Sequence, residues 1–169
     1  MSTNQESTVR ILEAFSYIAE RMPANKKNMY NVLKVFYLAD KIHMDRYGRF
    51  IFDDRYSAMP KGPVPSQAYD LMKSIRRGGV PMVLNSPVTL SEDHTVTPLR
   101  EANLDIFSGS DLLCLNEIIQ LSEQNDLGEY SHDDAWGKTS RNQLMADEDI
   151  LATLTNSESL LDLHQNRHA

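Results

Sequence analysis

One segment organises the chain: residues 31–48, which read NVLKVFYLADKIHMDRYG. From Val32 to Ala39 this segment is apolar almost all round, and such a helix is normally the buried axis of its domain. Gly48 supplies the left-handed residue with which helices commonly end. We therefore predict a long central helix from about Lys26 to Tyr47, with the rest of the chain packed around it.

Helical patterns continue on both sides of this central segment. A first helix is predicted to start near Thr3, because its apolar residues recur at helical spacing, and Pro23 ends it. From Ser110 onward the chain is helical again. The pattern there predicts a helix to about Gln124, a short helix capped by Ser131, and two weaker helices at about 146–154 and 158–164.

The region between these helices favours β-structure and turns, beginning with an aromatic, β-leaning stretch at 50–52 and 55–58. Residues 59–65 read MPKGPVP, and three prolines and a glycine in seven residues predict a rigid, non-helical loop. Ser66 is expected to cap a short helix that Gly78-Gly79 ends. Residues 82–99 predict a β-hairpin with a polar turn at 91–94. The predicted fold class is therefore mostly α (α+β): a single helical domain with a long central helix and a small antiparallel β element.

Charge is divided unevenly between the two parts of the chain. Residues 1–100 carry 14 Lys and Arg against 10 Asp and Glu, whereas residues 101–169 carry 3 against 14. An acidic surface repels nucleic acid and attracts a basic partner, although it also serves solubility alone. We predict a domain over 1–142, an acidic helical extension over 143–169, a partner with a basic contact surface and no nucleic-acid partner.

Several classes of protein are disfavoured by what the sequence contains. Cys114 is the single cysteine, so neither an intrachain disulfide nor a cysteine-based zinc cage is possible. Residues 1–8 are polar, and no run of 18 apolar residues occurs, which predicts a cytoplasmic protein without a membrane partner. We find no P-loop, no glycine-rich dinucleotide turn and no Ser-His-Asp pattern, and we expect no enzyme activity, no cofactor and no metal.

Three short motifs, taken in order, resemble one known family. The first is KVFYLAD at 34–40 with the trailing Tyr47-Gly48, the second is AMPKGPVP at 58–65, and the third is SHDDAW at 131–136. Over residues 28–140 they resemble the Panacea (SocA-like) antitoxin domain. The second motif departs from the family pattern, since Met59 and Lys61 stand where relatives usually carry a tryptophan and another aromatic residue.

The resemblance implies a function by contact with another protein. Members of this family are typically antitoxins that bind and neutralise a toxin encoded beside them, within a mostly α domain that carries a small antiparallel β element. At least one branch instead acts as an adaptor that delivers its toxin to a AAA+ protease. The resemblance therefore implies a cognate toxin as the partner, with such a protease as an alternative one.

The motifs also supply the candidate site residues. We expect the central helix and the two later motifs to form one partner-binding site from Tyr37, Lys61, Gly62, Pro63, Val64, His132 and Trp136. The loop at 60–65 or His132 is the expected partner of the Tyr37 hydroxyl, and Lys61 is the residue most exposed to the toxin.

Other interpretations of these motifs remain open. The loop at 60–65 has an alternative role, in which it only turns the chain, and His132 is favoured as part of a capped helix start whose ring is hydrogen-bonded into the core beside Trp136. A third function, a metal-dependent hydrolase, would use His43, His132 and Asp133.

Overall fold

The computed structural model describes residues 3–77 and 85–168. Helices occupy most of these residues, and the strands form two separate antiparallel pairs. In chain order the elements are α1 (Thr3–Arg21), α2 (Met29–Tyr47), β1 (Tyr56–Met59), β2 (Gly62–Pro65), α3 (Ser66–Arg76), β3 (Val88–Leu90), β4 (Val96–Pro98), a 3₁₀ turn (Leu104–Ile106), α4 (Gly109–Gln124), α5 (Leu127–Ser131), α6 (Asp134–Lys138), α7 (Asp147–Ala152) and α8 (Ser157–His168). The predicted fold class, mostly α with a small antiparallel β element, is confirmed.

Helix α2 is the predicted central helix. It packs against α4, α5, α7 and the β1–β2 hairpin, and most of its residues are buried. It begins three residues later than expected, because the Asn28 side chain accepts a hydrogen bond from the Asn31 amide and so caps the first turn. Gly48 ends it in the left-handed conformation, with a φ of 78°.

Aromatic rings join α1, α2 and the segment after α2 into one core. The rings of Phe36 and Phe52 stack with centroids 4.2 Å apart, and Phe15 from α1 packs against Phe36 at 5.6 Å. All three side chains are buried. The predicted β-leaning residues 50–52 therefore pack in the core from an irregular segment, whereas those at 55–58 lead into the first strand, which begins at Tyr56.

The proline-rich motif forms a hairpin: all of it is non-helical, as predicted, but the predicted loop is confined to the turn at 60–61. Strand β1 pairs antiparallel with β2, with Met59 opposite Gly62 and Tyr56 opposite Pro65. The other edge of β1 bonds to residues 142–145, where the Asn142 amide donates to the Ala58 carbonyl. Strand β2 is thus the outer strand of this arrangement. An outer strand tolerates proline, which has no backbone N–H, because not every amide there has to donate to a neighbouring strand.

A distant carboxylate caps α3, and the prediction that Ser66 caps it is wrong. Asp54 accepts hydrogen bonds from the backbone amides of Gln67 and Ala68, the first free donors of the helix. Burial raises the pKa of Asp54, and these amides act in the opposite direction. The predicted glycine stop at 78–79 and the first part of the 82–99 hairpin lie outside the described residues, whereas β3 and β4 pair antiparallel as predicted.

The chain after residue 142 packs onto α2 in two places. Met145 and Ile150 join the main core, whereas Met44 of α2 forms a smaller cluster with Leu151, Leu154 and Leu160. The Asp45 carboxylate accepts a hydrogen bond from the Asn156 amide at 2.9 Å. In the described residues, no helix is both long enough and apolar enough to cross a membrane.

Candidate partner-binding site

The turn between β1 and β2 is held by its backbone carbonyls. The Trp136 indole N–H donates to the Met59 carbonyl at 2.8 Å, and His132 Nε2 donates to the Lys61 carbonyl at 3.0 Å. The Lys34 ammonium donates to the Pro63 carbonyl at 2.8 Å. Alternate carbonyls of the hairpin are therefore tied to α6, to the α5–α6 junction and to α2, which fixes the turn from three directions.

Gly62 is required by both backbone conformation and space. Its φ is 122°, a value that residues with a side chain rarely adopt. A Cβ atom there would lie 2.7 Å from Lys34 Nζ and 2.9 Å from Ser131 Oγ. The glycine thus allows the hairpin to approach α2 and the end of α5 more closely than any other residue would.

Lys34 is a buried cation beneath this hairpin. Its side chain is 3% exposed, and burial lowers its pKa to about 8. Within the described part of the chain, the hydrogen bond to Pro63 is the only one that its ammonium makes, and no carboxylate pairs with it. A lysine in this setting costs stability, since a charged group loses its hydration without an opposite charge in return.

Asp133 joins the third motif to the central helix. Its Oδ2 accepts hydrogen bonds from the Tyr37 hydroxyl at 2.6 Å and from the Lys41 ammonium at 2.7 Å, and its Oδ1 accepts from the Trp136 amide at 2.9 Å. Burial, together with the bond to Asp133, raises the pKa of the Tyr37 hydroxyl. The expected partners of Tyr37, the loop or His132, are therefore wrong. Ser131 is not the helix cap either, because Asp133 caps α6.

An aromatic and cationic surface lies above this network. The rings of His132 and Trp136 stack at 4.2 Å and are nearly parallel, and the Arg141 guanidinium lies 4.0 Å from the centroid of the Trp136 ring. Lys61 is exposed, with its ammonium 4.7 Å from the centroid of the Tyr30 ring. His132 is exposed as well, so the expectation that its ring is bonded into the core is wrong. We call the surface of Lys61, His132, Trp136 and Arg141 the hairpin face.

Comparison with known families agrees with the three motifs. A model of the family described as antitoxin SocA-like, Panacea domain, matches residues 32–137, which is more than half of the chain. The chain belongs to this family. The match confirms the predicted resemblance and covers most of α2, the whole β1–β2 hairpin and most of α6. No curated protein and no solved structure matches the chain.

In this Panacea domain the seven predicted site residues lie together but divide into two layers. Lys61 and His132 are exposed, and Trp136 is half-buried. The remaining four form the layer beneath and are buried: Tyr37, Gly62, Pro63 and Val64. Their role in binding a partner stays a prediction, with the outer layer available for contact and the inner layer able only to support it.

The residues of the hydrolase alternative do not converge. His43 donates from Nδ1 to the Arg49 carbonyl, and its Nε2 lies 2.8 Å from Ser110 Oγ, whereas His132 contacts Lys61 and Trp136. Burial lowers the pKa of His43, which favours the neutral ring. Among the residues that the structure describes, no group of three His, Cys, Asp or Glu side chains is placed to hold a metal ion.

A sizeable cavity lies elsewhere in the described part of the Panacea domain. It encloses about 620 Å³ between α1 and the segment after α2, where Arg10, Arg49, Phe50 and Phe52 contribute to its walls. None of the seven predicted residues lines it in the described part of the chain. Size alone therefore does not point to the site that the family motifs form.

Sequence reasoning missed the buried polar residues of α2. Lys34 and Asp40 are almost inaccessible, and Lys41 is held by Asp133. Burial raises the pKa of Asp40 to about 7, against the lowering effect of the Tyr56 hydroxyl and two backbone amides. The sequence did contain a signal: a polar residue inside a helix predicted to be apolar all round must be buried and needs a partner.

Proposed function

We propose that this chain is the antitoxin of a toxin–antitoxin pair, and that it neutralises its cognate toxin in the cytoplasm by direct protein–protein binding. The family match supports the antitoxin role. We assign the contact to the hairpin face, with Tyr37, Gly62, Pro63 and Val64 as its support. The proposed mechanism uses no cofactor, no metal and no catalytic step.

The anchoring of the hairpin turn carries this proposal. A turn whose carbonyls are bonded to three other elements loses little conformational freedom when a partner binds it. The stacked His132 and Trp136 rings with Arg141 add the aromatic and guanidinium groups that are enriched at the centres of protein interfaces. The site thus combines a rigid backbone with groups suited to contact a protein.

Charge around the hairpin face suggests the character of the toxin. Glu129 and Asp134 are exposed on α5 and α6, on either side of His132 in the chain. We propose that the toxin places basic groups opposite these carboxylates and an acceptor opposite Lys61. The association rate should then fall as salt rises, since the Debye length is only about 8 Å at physiological ionic strength.

The test is co-expression with the toxin encoded beside this chain, using two charge-reversal variants. Lys61→Glu changes the tip of the hairpin, whereas Arg55→Glu makes the same change in an exposed residue just before β1, at the opposite end of the hairpin. Both should keep the parent thermal midpoint, because surface changes usually move stability by only about 0.5 kcal/mol. Only Lys61→Glu should lose growth rescue and weaken the purified complex. Rescue by Lys61→Glu at the parent level would contradict this assignment.

The level of toxin in the same cells separates direct neutralisation from delivery to a AAA+ protease. The acidic residues of α7 and α8 offer a surface for such a protease. Under direct neutralisation the toxin persists in a complex, and rescue does not depend on the protease. A short toxin half-life that lengthens when the protease gene is deleted would instead support the adaptor mechanism.

A further inference from the structure

A second surface feature lies beside the hairpin face. A groove of about 310 Å³ runs between the start of α2, one face of α3 and the turn that joins β3 to β4. Its lining is aromatic and basic, with one further apolar residue. The residues are Met29, Tyr30, Tyr69, Lys73, Arg76, Arg77 and His94, and we call this feature the His94 groove.

Positive charge is concentrated in the His94 groove. Lys73, Arg76 and Arg77 line it, and no carboxylate is among its described lining residues. Lys73 pairs at 3.3 Å with Asp70, a largely exposed residue of the same helix. Arg76 and Arg77 have no carboxylate partner within the part of the chain that the structure describes. Two guanidinium groups are therefore available to an anion from outside.

His94 is fixed in position and has an unused ring nitrogen. Its φ is 68°, and its carbonyl accepts a hydrogen bond from the Met29 amide at the start of α2. Its Nδ1 is buried and, among the described residues, has no hydrogen-bond partner. The ring lines the groove, where it packs edge-on against the Tyr30 ring with centroids 5.8 Å apart.

We propose that the His94 groove binds a small molecule that carries phosphate groups, such as a nucleoside diphosphate. Arg76 and Arg77 supply the guanidinium groups that match phosphate oxygens, and Lys73 adds a third cation. Tyr30 and Tyr69 supply aromatic rings beside them. The enclosed volume is that of a small-ligand site, and the net charge of −7 opposes an extended polyanion. This proposal does not rest on the antitoxin function.

Calorimetric titration of the full chain with pyrophosphate and with ADP tests the proposal. Arg77→Glu should weaken binding of both probes by about tenfold or more. Arg55→Glu, which changes the net charge equally but lies outside the groove, should leave the affinities close to those of the parent. His94→Asn should weaken binding by a smaller factor. Asparagine is chosen because it tolerates a positive φ, so the variant removes the ring without straining the turn.

The outcomes separate the sources of affinity. Tighter binding of ADP than of pyrophosphate would show that the tyrosine rings contribute, and equal binding would show that the phosphates suffice; both support the proposal. Absence of saturable binding below about 1 mM would overturn it, as would equal losses in Arg77→Glu and Arg55→Glu. Binding of a short single-stranded RNA in preference to ADP, with the same dependence on Arg77, would replace it with a nucleic-acid site.

Discussion

Two buried charges, Asp111 on α4 and Lys34 on α2, differ in how far their partners compensate them. Asp111 accepts hydrogen bonds from Arg10, from Arg49 and from the Ser108 amide. Burial opposes its ionisation, but the Ser108 amide and Arg49 outweigh burial and lower the pKa of this carboxyl. Lys34 has one neutral carbonyl as its partner in the described structure. The first charge stabilises the fold, whereas the second lies beneath the proposed binding site and weakens the fold.

This difference indicates what each position is for. A carboxylate that completes the capping box of α4 and holds two arginines has an architectural reason to be charged. A buried ammonium whose partner is the Pro63 carbonyl has no such reason, because burying an apolar side chain of the same length would cost less free energy. Its value lies in fixing the hairpin turn, so the two sites should respond differently when the charge is removed.

The largest effect is expected from Asp111→Asn. The amide keeps the size of the side chain but leaves Arg10 and Arg49 without an anion and disrupts the capping box of α4. We expect a loss of about 2–4 kcal/mol in the free energy of unfolding. The loss is not larger because both arginines are partly exposed and regain water. Urea denaturation measures this loss. A loss below about 0.5 kcal/mol would show that the arginines were already well solvated.

Gly62→Ala should destabilise the other site by a smaller amount. The φ of 122° strains any residue with a Cβ, and that Cβ would crowd Lys34 and Ser131. We expect a loss of about 1–3 kcal/mol, together with loss of toxin rescue. Gly137→Ala is the matched control, since nothing lies within 4 Å of a Cβ placed there. Equal stability of the two variants would show that the hairpin is free to move away from α2.

The sequence predicted the parts of this molecule that depend on neighbouring residues. Helix α2 followed from a continuous apolar run and a terminal glycine, and both signals lie within that segment. The β-leaning pattern at 55–58 indicated strand β1, but no local pattern showed that β1 pairs with residues 142–145, more than 80 residues away, as well as with the proline-rich β2. Long-range pairing hid the partners of this strand.

The candidate site shows the same limit. The three motifs located its residues, but the network that joins them depends on Asp133, which is 96 residues from Tyr37 in the chain. The sequence required a partner for the buried Tyr37 hydroxyl without indicating which polar group would reach it. Lys34 belongs to the first motif, yet only the three-dimensional structure shows that it lies beneath Gly62.

Lys34→Met should have the smallest effect on stability and the opposite sign. The variant removes a poorly compensated buried charge and loses one hydrogen bond, so at pH 7 we expect it to be about 1 kcal/mol more stable than the parent. Toxin rescue should nevertheless fall, because the Pro63 carbonyl loses its anchor. Asp111→Asn, in contrast, should reduce rescue only as far as it reduces the amount of folded protein.

The pH dependence of stability gives this last prediction a second measurement. The pKa of Lys34 is lowered from 10.5 to about 8, so between these values the unfolded chain binds more protons than the folded one. The free energy of unfolding of the parent should therefore rise by about 1.5 kcal/mol from pH 8 to pH 9.5, relative to Lys34→Met. Taking the difference between the two proteins removes the contributions of Tyr37 and Tyr56, which both proteins share. The greater stability of Lys34→Met should thus disappear within this pH window. A difference in unfolding free energy that stays constant with pH would mean that the ammonium at Lys34 is solvated. The contrast with Asp111 would then no longer hold.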